Sequence, residues 1–284
     1  MLAVLCALAS ALMYALASVF QHRGTAGEPA AERIQLGLLV RLTRSRIWLF
    51  GVACDAAGYV LQFVALGHGP IVMVQTLLVS GLLFALPLGA ALSGRRLTSS
   101  DWLGAFAVCA GLAAFLAVAA PAAGKSNPAS QTWAILLCTV ALGVAGLVSW
   151  GRGPASRRRA VALGSAAGLV YGGAAALTKT TAHILERGLL GVFVHWQLYA
   201  LLALGVGGML LAQSAFQAGA LDLSLPALTV VDPIFSILVG VVAFRESVAF
   251  SPPALTVEVA ALASMAAGVI VLARNEGLVA GSVA

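Results

Sequence analysis

Nine apolar runs, separated by short polar segments, dominate the pattern of hydrophobic and polar positions along this chain. A transmembrane helix needs about 20 consecutive apolar residues, so each run is predicted to cross a membrane. We interpret the first run as a span and not as a signal peptide, because no positively charged segment precedes it. The predicted spans are 2–20, 47–66, 70–92, 101–120, 131–150, 160–179, 195–217, 224–244 and 253–273.

Two further apolar stretches, 34–42 and 188–194, are too short to cross a bilayer. The first is interrupted by Arg41 and followed by Arg44 and Arg46. We predict that both stretches form short interfacial or partly inserted helices. The basic character of the first suits an anionic membrane surface.

The composition agrees with a membrane protein, because 61% of the residues are hydrophobic and only 9% are charged. A soluble domain carries about 25% charged residues. The expected class is therefore an all-α polytopic membrane protein whose first partner is the lipid bilayer. The net charge of +6 resides in short loops, so it indicates control of topology and not nucleic-acid binding.

The distribution of lysine and arginine predicts the orientation of the chain. In a nine-span arrangement, 12 of these residues fall on one side and four on the other. Cytoplasmic loops carry the excess of positive charge. The N-terminus is therefore predicted outside and the C-terminus in the cytoplasm.

An internal repeat joins residues separated by 151–157 positions. The segment SALMYALASVFQ is similar to AGLVYGGAAALT, with Tyr14 over Tyr171. Because five crossings separate equivalent helices, the second repeat is predicted to be inverted, an architecture common in secondary carriers. The predicted units are a first repeat (1–121), a linker with the fifth span (122–157), a second repeat (158–275) and a cytoplasmic tail (276–284).

Two segments resemble the drug/metabolite transporter superfamily. They are ALDLSLPALTVVDPIFSILVGVVAFRESV (220–248) and ALGHGPIVMVQTLLVSGLLFALPLGAALSGRRLTSSDWLGAFAVCAGLAAFL (65–116). Both are most similar to the EamA-like and NIPA-like branch common in bacteria. The resemblance implies a transporter of the bacterial cytoplasmic membrane, and the NIPA-like group is linked to Mg²⁺. Two positions depart from the pattern: Thr76 stands where proline is frequent, and Arg245 stands where glycine precedes Glu246.

Asp55 and Asp232 are the main candidate site residues, because each lies near the middle of a predicted span. A carboxylate at the centre of a membrane helix costs roughly 2.5–3.5 kcal/mol on insertion scales and often marks a function. Asp232 precedes Pro233, and Pro226 lies in the same span. Proline removes a helical hydrogen bond, so a helix break is predicted at these two positions.

Other polar residues within the spans divide into candidates for binding and for structure. Gln75, Gln62, Tyr14 and Tyr171 could bind a polar substrate, and Asp55 with Asp232 could also hold Mg²⁺. Gln213 and Gln217 are predicted to join helices. Gly164, Gly168 and Gly172 form a GxxxGxxxG ridge for close packing, within the chain or with a second copy in a homodimer.

Three residues near the predicted outer surface, Lys179, His195 and Glu258, are weaker candidates for an outer vestibule. Lys179 is expected to extend toward the interface, and Glu258 to pair with Arg245 or Lys179. His195 beside Trp196 is expected to anchor the chain at the interface.

Three functions remain open from the sequence. The first is a secondary transporter for a small polar metabolite, with proton-coupled export. The second is a NIPA-like transporter of Mg²⁺ or another divalent cation, and the third is a lipid translocase or a membrane scaffold. No HExxH, GxSxG or phosphate-binding loop occurs, so neither an enzyme nor a bound cofactor is expected.

Overall fold

The computed structural model describes residues 1–25, 42–93, 97–122, 124–154, 156–218, 221–247 and 252–280. Within these ranges every regular element is a helix, apart from an isolated bridge between Ala122 and Ser247. The helices are α1 (Leu2–Thr25), α2 (Arg46–His68), α3 (Ile71–Leu78), α4 (Gly81–Ser93), α5 (Ser99–Ala119), α6 (Ser130–Trp150), α7 (Arg157–Arg187), α8 (Leu189–Val194), α9 (Trp196–Ala218), α10 (Leu221–Val242) and α11 (Pro252–Ala280).

Six of these helices, α1, α2, α5, α6, α7 and α9, are long and apolar enough to cross a membrane. The prediction of a helical membrane protein is therefore confirmed. Shorter apolar stretches, at Ile71–Ala85, Ala227–Val242 and Leu255–Gly268, lie within the other three predicted spans. The count of nine spans stays a prediction.

The two short predicted helices have different outcomes. The stretch 188–194 forms α8 (Leu189–Val194), as predicted. The stretch 34–42 lies outside the described residues except for Leu42, which is buried.

Several helices begin where a polar side chain caps free backbone N–H groups. Thr98 and Asp101 form a capping box at the start of α5, and Ser45 and Ser156 accept from the first turns of α2 and α7. Such caps satisfy donors that have no partner inside the helix. They fix the starts of these helices near the limits that the hydrophobic pattern predicts.

The helix break lies in the first half of the chain and not at the prolines of the second. The predicted span 70–92 is interrupted at Val79 and Ser80, where the Ser80 hydroxyl donates to the Leu77 carbonyl at 2.6 Å. By contrast, α10 is continuous through both Pro226 and Pro233. The predicted break at these prolines was therefore wrong, and the side chain of Pro226 lies outside the described part of the structure.

Helix α7 lies at the centre of the bundle and is buried along most of its apolar length. It packs against α9, α10, α6 and α2, while α1 packs on α2 and α5 on α11. The glycine ridge of α7 faces α10: a Cβ atom at Gly168 would lie 2.9 Å from the Leu228 carbonyl oxygen. The ridge therefore serves packing within the chain and brings the α10 backbone around Asp232 close to α7.

Several connections meet at one end of the bundle, which we call the Glu246 end. There the Ala122 amide donates to the Ser247 carbonyl at 3.0 Å, and the Lys125 amide donates to the Phe244 carbonyl at 2.6 Å. The Thr180 hydroxyl donates to the Ser126 carbonyl at 3.3 Å. These contacts tie the segment before α6 to the ends of α10 and α7.

The opposite end of the bundle, which we call the Arg159 end, contains the arginine-rich start of α7. The Arg159 guanidinium is buried and donates to the Gly153 carbonyl at 2.8 Å. The last turn of α1 packs there against the start of α2, since a Cβ atom at Gly24 would lie 2.6 Å from the Trp48 Cβ.

Candidate functional site

Four predicted site residues from four helices are related electrostatically between the two halves of the chain. The carboxyl groups of Asp55 on α2 and Asp232 on α10 both act electrostatically on the hydroxyls of Tyr14 on α1 and Tyr171 on α7. Each of the four side chains is half-buried. We call Asp55, Asp232, Tyr14 and Tyr171 the central cluster.

The Asp55 carboxylate is held by a pair of amides. It makes a side-chain hydrogen bond with Gln21, and the Gln213 Nε2 donates to the Gln21 Oε1 at 2.8 Å. Because an ionised carboxylate only accepts hydrogen bonds, the Gln21 nitrogen is the donor to Asp55. The predicted role of Gln213 in joining helices is confirmed, because this hydrogen bond connects α9 with α1.

The Asp232 carboxylate has a partner on its own helix. The Ser236 hydroxyl, one turn further along α10, donates to the Asp232 Oδ1 at 3.1 Å. A Cβ atom at Gly172 would lie 3.1 Å from the Ser236 hydroxyl oxygen and 3.2 Å from the Asp232 carbonyl. The glycine ridge of α7 therefore leaves the space in which this pair of side chains lies.

The tyrosines are fixed by hydrogen bonds and by glycines that leave room for their rings. The Tyr14 hydroxyl donates to the Gln62 Oε1 at 2.5 Å. A Cβ atom at Gly58 would lie 3.0 Å from the Tyr14 ring, and one at Gly208 would lie 2.6 Å from the Tyr171 ring. Gln62 is thus the partner that orients Tyr14, and this hydrogen bond joins two of the predicted site residues.

A further tyrosine extends the polar contacts toward the Glu246 end. Tyr59 lies one turn after Asp55, and its hydroxyl is 3.0 Å from the Thr178 hydroxyl on α7. This contact joins the two halves of the chain on one side of the central cluster. The contact between Gln21 and Gln213 joins them on the other side.

Two predicted glutamines do not join the cluster. Gln75 lies on α3 with 1% of its surface exposed, and its Nε2 has no hydrogen-bond partner among the described residues. The Gln217 Nε2 likewise has no partner in the described part of the chain. Neither side chain is placed by a contact with the central cluster.

Lys179 is buried in an ion pair and does not extend toward the interface, so the prediction for this residue was wrong. Its Nζ donates to the Glu246 Oε1 at 2.5 Å, and both side chains are almost fully buried. Glu246 also accepts from the backbone amides of Ile71 at 2.7 Å and Val72 at 2.9 Å. Since Pro70 provides no side-chain cap, the carboxylate from the second half caps the first turn of α3.

Aromatic rings close the surroundings of this ion pair. The Lys179 ammonium lies 5.2 Å from the centroid of the Phe244 ring, a distance at which a cation is attracted to the ring. Trp133 on α6 packs edge-on against Phe244 at 6.2 Å and against Trp196 at 5.5 Å. The rings exclude water from the charged pair.

Arg245 explains how Glu246 folds back into the bundle. It has a φ of +56°, a left-handed conformation that favours glycine. The Glu246 amide then donates to the Gly240 carbonyl at 3.0 Å. Arg245 therefore makes a turn that glycine would make without strain.

No contact among the described residues joins the three side chains of the predicted outer vestibule, which stays a prediction. Glu258 is buried and its Oε1 has no partner among the described residues, while Lys179 pairs with Glu246 instead. His195 is exposed, and its Nδ1 lies 2.6 Å from the Gly191 carbonyl. The expected pairing of Glu258 with Lys179 was therefore wrong.

A metal site of several protein ligands is not present in the described ranges. No group of three or more histidine, cysteine, aspartate or glutamate side chains comes together there. A divalent ion bound by the central cluster would have two carboxylates and would take its other ligands from water or from neutral oxygens.

Comparison with known proteins places the chain beside a bacterial relative. It is 30% identical over 284 residues to an uncharacterized protein of Corynebacterium glutamicum, and the match covers 99% of this chain and 98% of the relative. The chain belongs to the family of that protein. No model of a known protein family matches the chain, and no solved structure matches it.

Sequence reasoning missed four residues that the structure connects to the site: Gln21, Tyr59, Ser236 and Glu246. Ser236 follows Asp232 by four positions, a spacing that places side chains on one helix face. Glu246 follows α10 in a segment that resembles a family pattern. The contacts of Gln21 and Tyr59 depend on helix packing, so sequence alone carries no signal for them.

Proposed function

We propose that this protein is a secondary transporter that moves a small polar metabolite across the membrane by alternating access, with proton-coupled export. The observation that carries the proposal is the meeting of Asp55 and Asp232 with two tyrosines between the halves of the chain. Carboxylates are expensive inside a membrane and line substrate or proton pathways when present.

The arrangement of the two halves supports an inverted repeat of four spans each around the linker helix α6. In the first half α1 packs on α2, and in the second half α7 packs on α9. Helix α10, like α3 with α4, lies next to the long first helix of its half. We infer nine spans, made of the six long helices and the three shorter apolar stretches.

The contacts between the halves support alternating access around the central cluster. Gln21 with Gln213 joins them on one side of the cluster, and Tyr59 with Thr178 joins them on the other. Further out, Glu246 caps α3 of the first half. Opening toward one side of the membrane would break one set of contacts and keep the other.

Proton coupling would use the carboxyl groups of the cluster. The ionisable side chains that act electrostatically on Tyr14 there are Asp55, Asp232, Tyr59 and Tyr171. In this proposal an aspartate releases its proton when substrate binds and regains it on the return step. The resemblance of 65–116 and 220–248 to the drug/metabolite transporter superfamily supports the same function.

A NIPA-like transport of Mg²⁺ is the second candidate, because Asp55 and Asp232 both act electrostatically on the tyrosines of the central cluster. Mg²⁺ keeps several waters and needs only one or two carboxylates. The absence of a third acidic, histidine or cysteine ligand among the described residues weighs against a dehydrated metal site. No contact among the residues that the structure describes favours a lipid translocase or a scaffold.

The test is flux through the purified full-length protein in liposomes. Mg²⁺ entry and metabolite-dependent dissipation of a pH gradient would be measured in parallel. The variants are Asp55→Asn and Asp232→Asn, with Glu186→Gln as the control, because Glu186 is an exposed carboxylate. Metabolite-driven proton flux that both aspartate variants lose would support the proposal. Mg²⁺ flux without proton movement would favour the second candidate, and wild-type flux in both aspartate variants would remove the cluster from either.

A further inference from the structure

A cleft at the Glu246 end of the bundle lies apart from the central cluster. The starts of α6 and α9 and the segment before α6 form it, and its volume is about 360 Å³. We call it the α6–α9 cleft. Pockets for small molecules have volumes from about 300 Å³ upward, so the cleft has room for a ligand of one ring. The residues that line it with amides, a hydroxyl or indole rings are Asn127, Ser130, Trp133, Trp196 and Gln197.

Gln197 gives the cleft a buried hydrogen-bond acceptor that lacks a donor. The residue is 5% exposed, and its Oε1 has no hydrogen-bond partner among the described residues. Buried polar atoms in proteins are nearly always hydrogen-bonded, and an unpaired one destabilises the fold. The unpaired oxygen therefore indicates that a donor enters the cleft.

The two tryptophans form an apolar wall of the cleft. Their rings meet edge to face with centroids 5.5 Å apart. Tryptophans near helix ends commonly anchor a protein at the membrane interface, but Trp133 is only 4% exposed and cannot serve that purpose. Its Nε1 donates to the Asn127 Oδ1 at 2.9 Å, which fixes the indole ring. The Asn127 nitrogen remains a donor that a ligand can use.

The lining of the cleft carries no charge. Among the described residues, no acidic, basic or histidine side chain lines it. The Lys179 ammonium lies against the Phe244 ring and is paired with Glu246. A charged ligand would lose hydration here without gaining an opposite charge, which is unfavourable. Amide and hydroxyl groups both donate and accept hydrogen bonds, so the lining favours an uncharged ligand with several hydroxyl groups.

We propose that the α6–α9 cleft binds an uncharged ring with several hydroxyl groups, of the size of one sugar unit. The Gln197 Oε1 accepts from one hydroxyl, and Asn127 and Ser130 bond to others. The apolar C–H face of the ring packs on the indole of Trp196, which is 44% exposed. This ring is either a free sugar or the headgroup of a glycolipid. The proposal does not depend on the proposed transport function, because no residue of the central cluster lines the cleft.

The test is binding to the purified full-length protein in a detergent that carries no sugar. The probes are glucose and two charged analogues of the same ring, glucosamine and glucuronate. Binding is read as a saturable change in tryptophan fluorescence, since Trp133 and Trp196 line the cleft. We expect glucose to give this change and to raise the unfolding temperature, because a ligand that binds only the folded state stabilises it. Glucosamine and glucuronate should bind more weakly.

A second arm distinguishes the two sources of the ring. The protein is reconstituted in phosphatidylcholine vesicles with or without monoglucosyl diacylglycerol, and its unfolding temperature is compared. Stabilisation by the glycolipid without a response to free glucose would support the site and assign the ring to a lipid. A response to free glucose would support the site for the free sugar. No response to either source, or binding of a charged analogue as tight as that of glucose, would overturn the proposal.

Gln197→Met separates binding from folding. It removes the acceptor at similar volume, so affinity should fall about fivefold or more, as expected for a lost hydrogen bond. The unfolding temperature without ligand should not fall, because no partner of the Oε1 is lost among the described residues. The control is Gln131→Met, at an exposed position of α6 that does not line the cleft. Wild-type affinity or a lower unfolding temperature in Gln197→Met would overturn the role of Gln197.

Trp196→Leu tests the aromatic wall independently. It keeps an apolar side chain and removes the indole face, so the affinity for the ring should fall. The matched control is Trp150→Leu, because Trp150 is also exposed and lies at the opposite end of α6, outside the cleft. Equal affinities of the two tryptophan variants would place the ligand elsewhere and overturn the proposal.

Discussion

The Lys179 ammonium donates to the Glu246 carboxylate at 2.5 Å in a buried position, and the same carboxylate caps the first turn of α3. One side chain therefore satisfies a cation of α7 and two backbone donors of α3. The fold thus depends at this end on a contact between residues 67 positions apart.

Neutralising one partner of this ion pair should destabilise the protein strongly. Lys179→Met or Glu246→Gln alone leaves a buried charge without its partner, for which about 3–5 kcal/mol is expected. The double variant Lys179→Met/Glu246→Gln leaves no such charge and should be more stable than the weaker of the two single variants. Thermal unfolding in detergent measures all three.

The control for the ion pair is Glu186→Gln, whose partner His183 lies near the surface. An exposed pair contributes less than about 1 kcal/mol. If the double variant were as unstable as the sum of the single variants, the two side chains would not be coupled.

Adding a methyl group to the glycine ridge should separate α7 from α10. In Gly168→Ala the new Cβ atom would lie 2.9 Å from the Leu228 carbonyl oxygen and from the Val231 Cβ, and 3.0 Å from the Asp232 amide nitrogen. Backbone must move to relieve these contacts, at about 1–3 kcal/mol of stability. Substrate-dependent flux should fall as well, because Asp232 would shift.

Gly205→Ala is the matched control for the ridge, because a Cβ atom there meets nothing within 4 Å. Alanine is the better helix former by about 1 kcal/mol, so this variant should be at least as stable as the wild type. Equal effects of the two substitutions on unfolding temperature would exclude the proposed role of the ridge.

Arg245→Gly should raise stability by about 1 kcal/mol, because the left-handed conformation is unfavourable for residues with a side chain. The φ of +56° at this position is one that glycine adopts without penalty. The comparison variant is Arg187→Gly, at the exposed end of α7, because the φ of Arg187 is not positive and no gain is expected. A loss of stability in Arg245→Gly would mean that the arginine side chain contributes more than its backbone conformation takes away.

Labelling with a membrane-impermeant maleimide should place the two ends of the bundle on opposite sides of the membrane. Lys125→Cys at the Glu246 end should react from outside intact cells, and Arg152→Cys at the Arg159 end should react only after permeabilisation. The native cysteines lie in apolar helices, and the wild type measures their background. Reversed labelling would invert the orientation that the lysine and arginine distribution predicts, and labelling of both from one side would contradict a membrane crossing by α6.

Prediction of the candidate site from sequence was best for residues that are unusual in their surroundings. Asp55 and Asp232 are carboxylates within apolar runs, so the sequence marks them directly, and Tyr14 and Tyr171 follow from the repeat. Lys179 lay near the end of a predicted span, where extension toward the interface is the common outcome. The structure instead continues α7 to Arg187, which places Lys179 inside the bundle.

The position of the helix break is a second feature that the sequence did not predict correctly. Proline identifies where a helical hydrogen bond is lost, but α10 continues through Pro226 and Pro233. The actual interruption at Val79 and Ser80 has no proline and is satisfied by the Ser80 hydroxyl. The hydrogen bond from the Ser80 hydroxyl compensates for the interruption of the helix. Residue type alone does not predict where this interruption lies.

The sequence by itself determined that the protein is helical and lies in a membrane, because apolar composition and the length of each run act locally and independently of the other helices. It also identified the two carboxylates whose burial needs an explanation. Only the tertiary structure decided which groups surround them and which partner each buried charge has. Those contacts, such as Lys179 with Glu246 and Gln21 with Gln213, join residues far apart in the chain, and they follow from helix packing that no local pattern encodes.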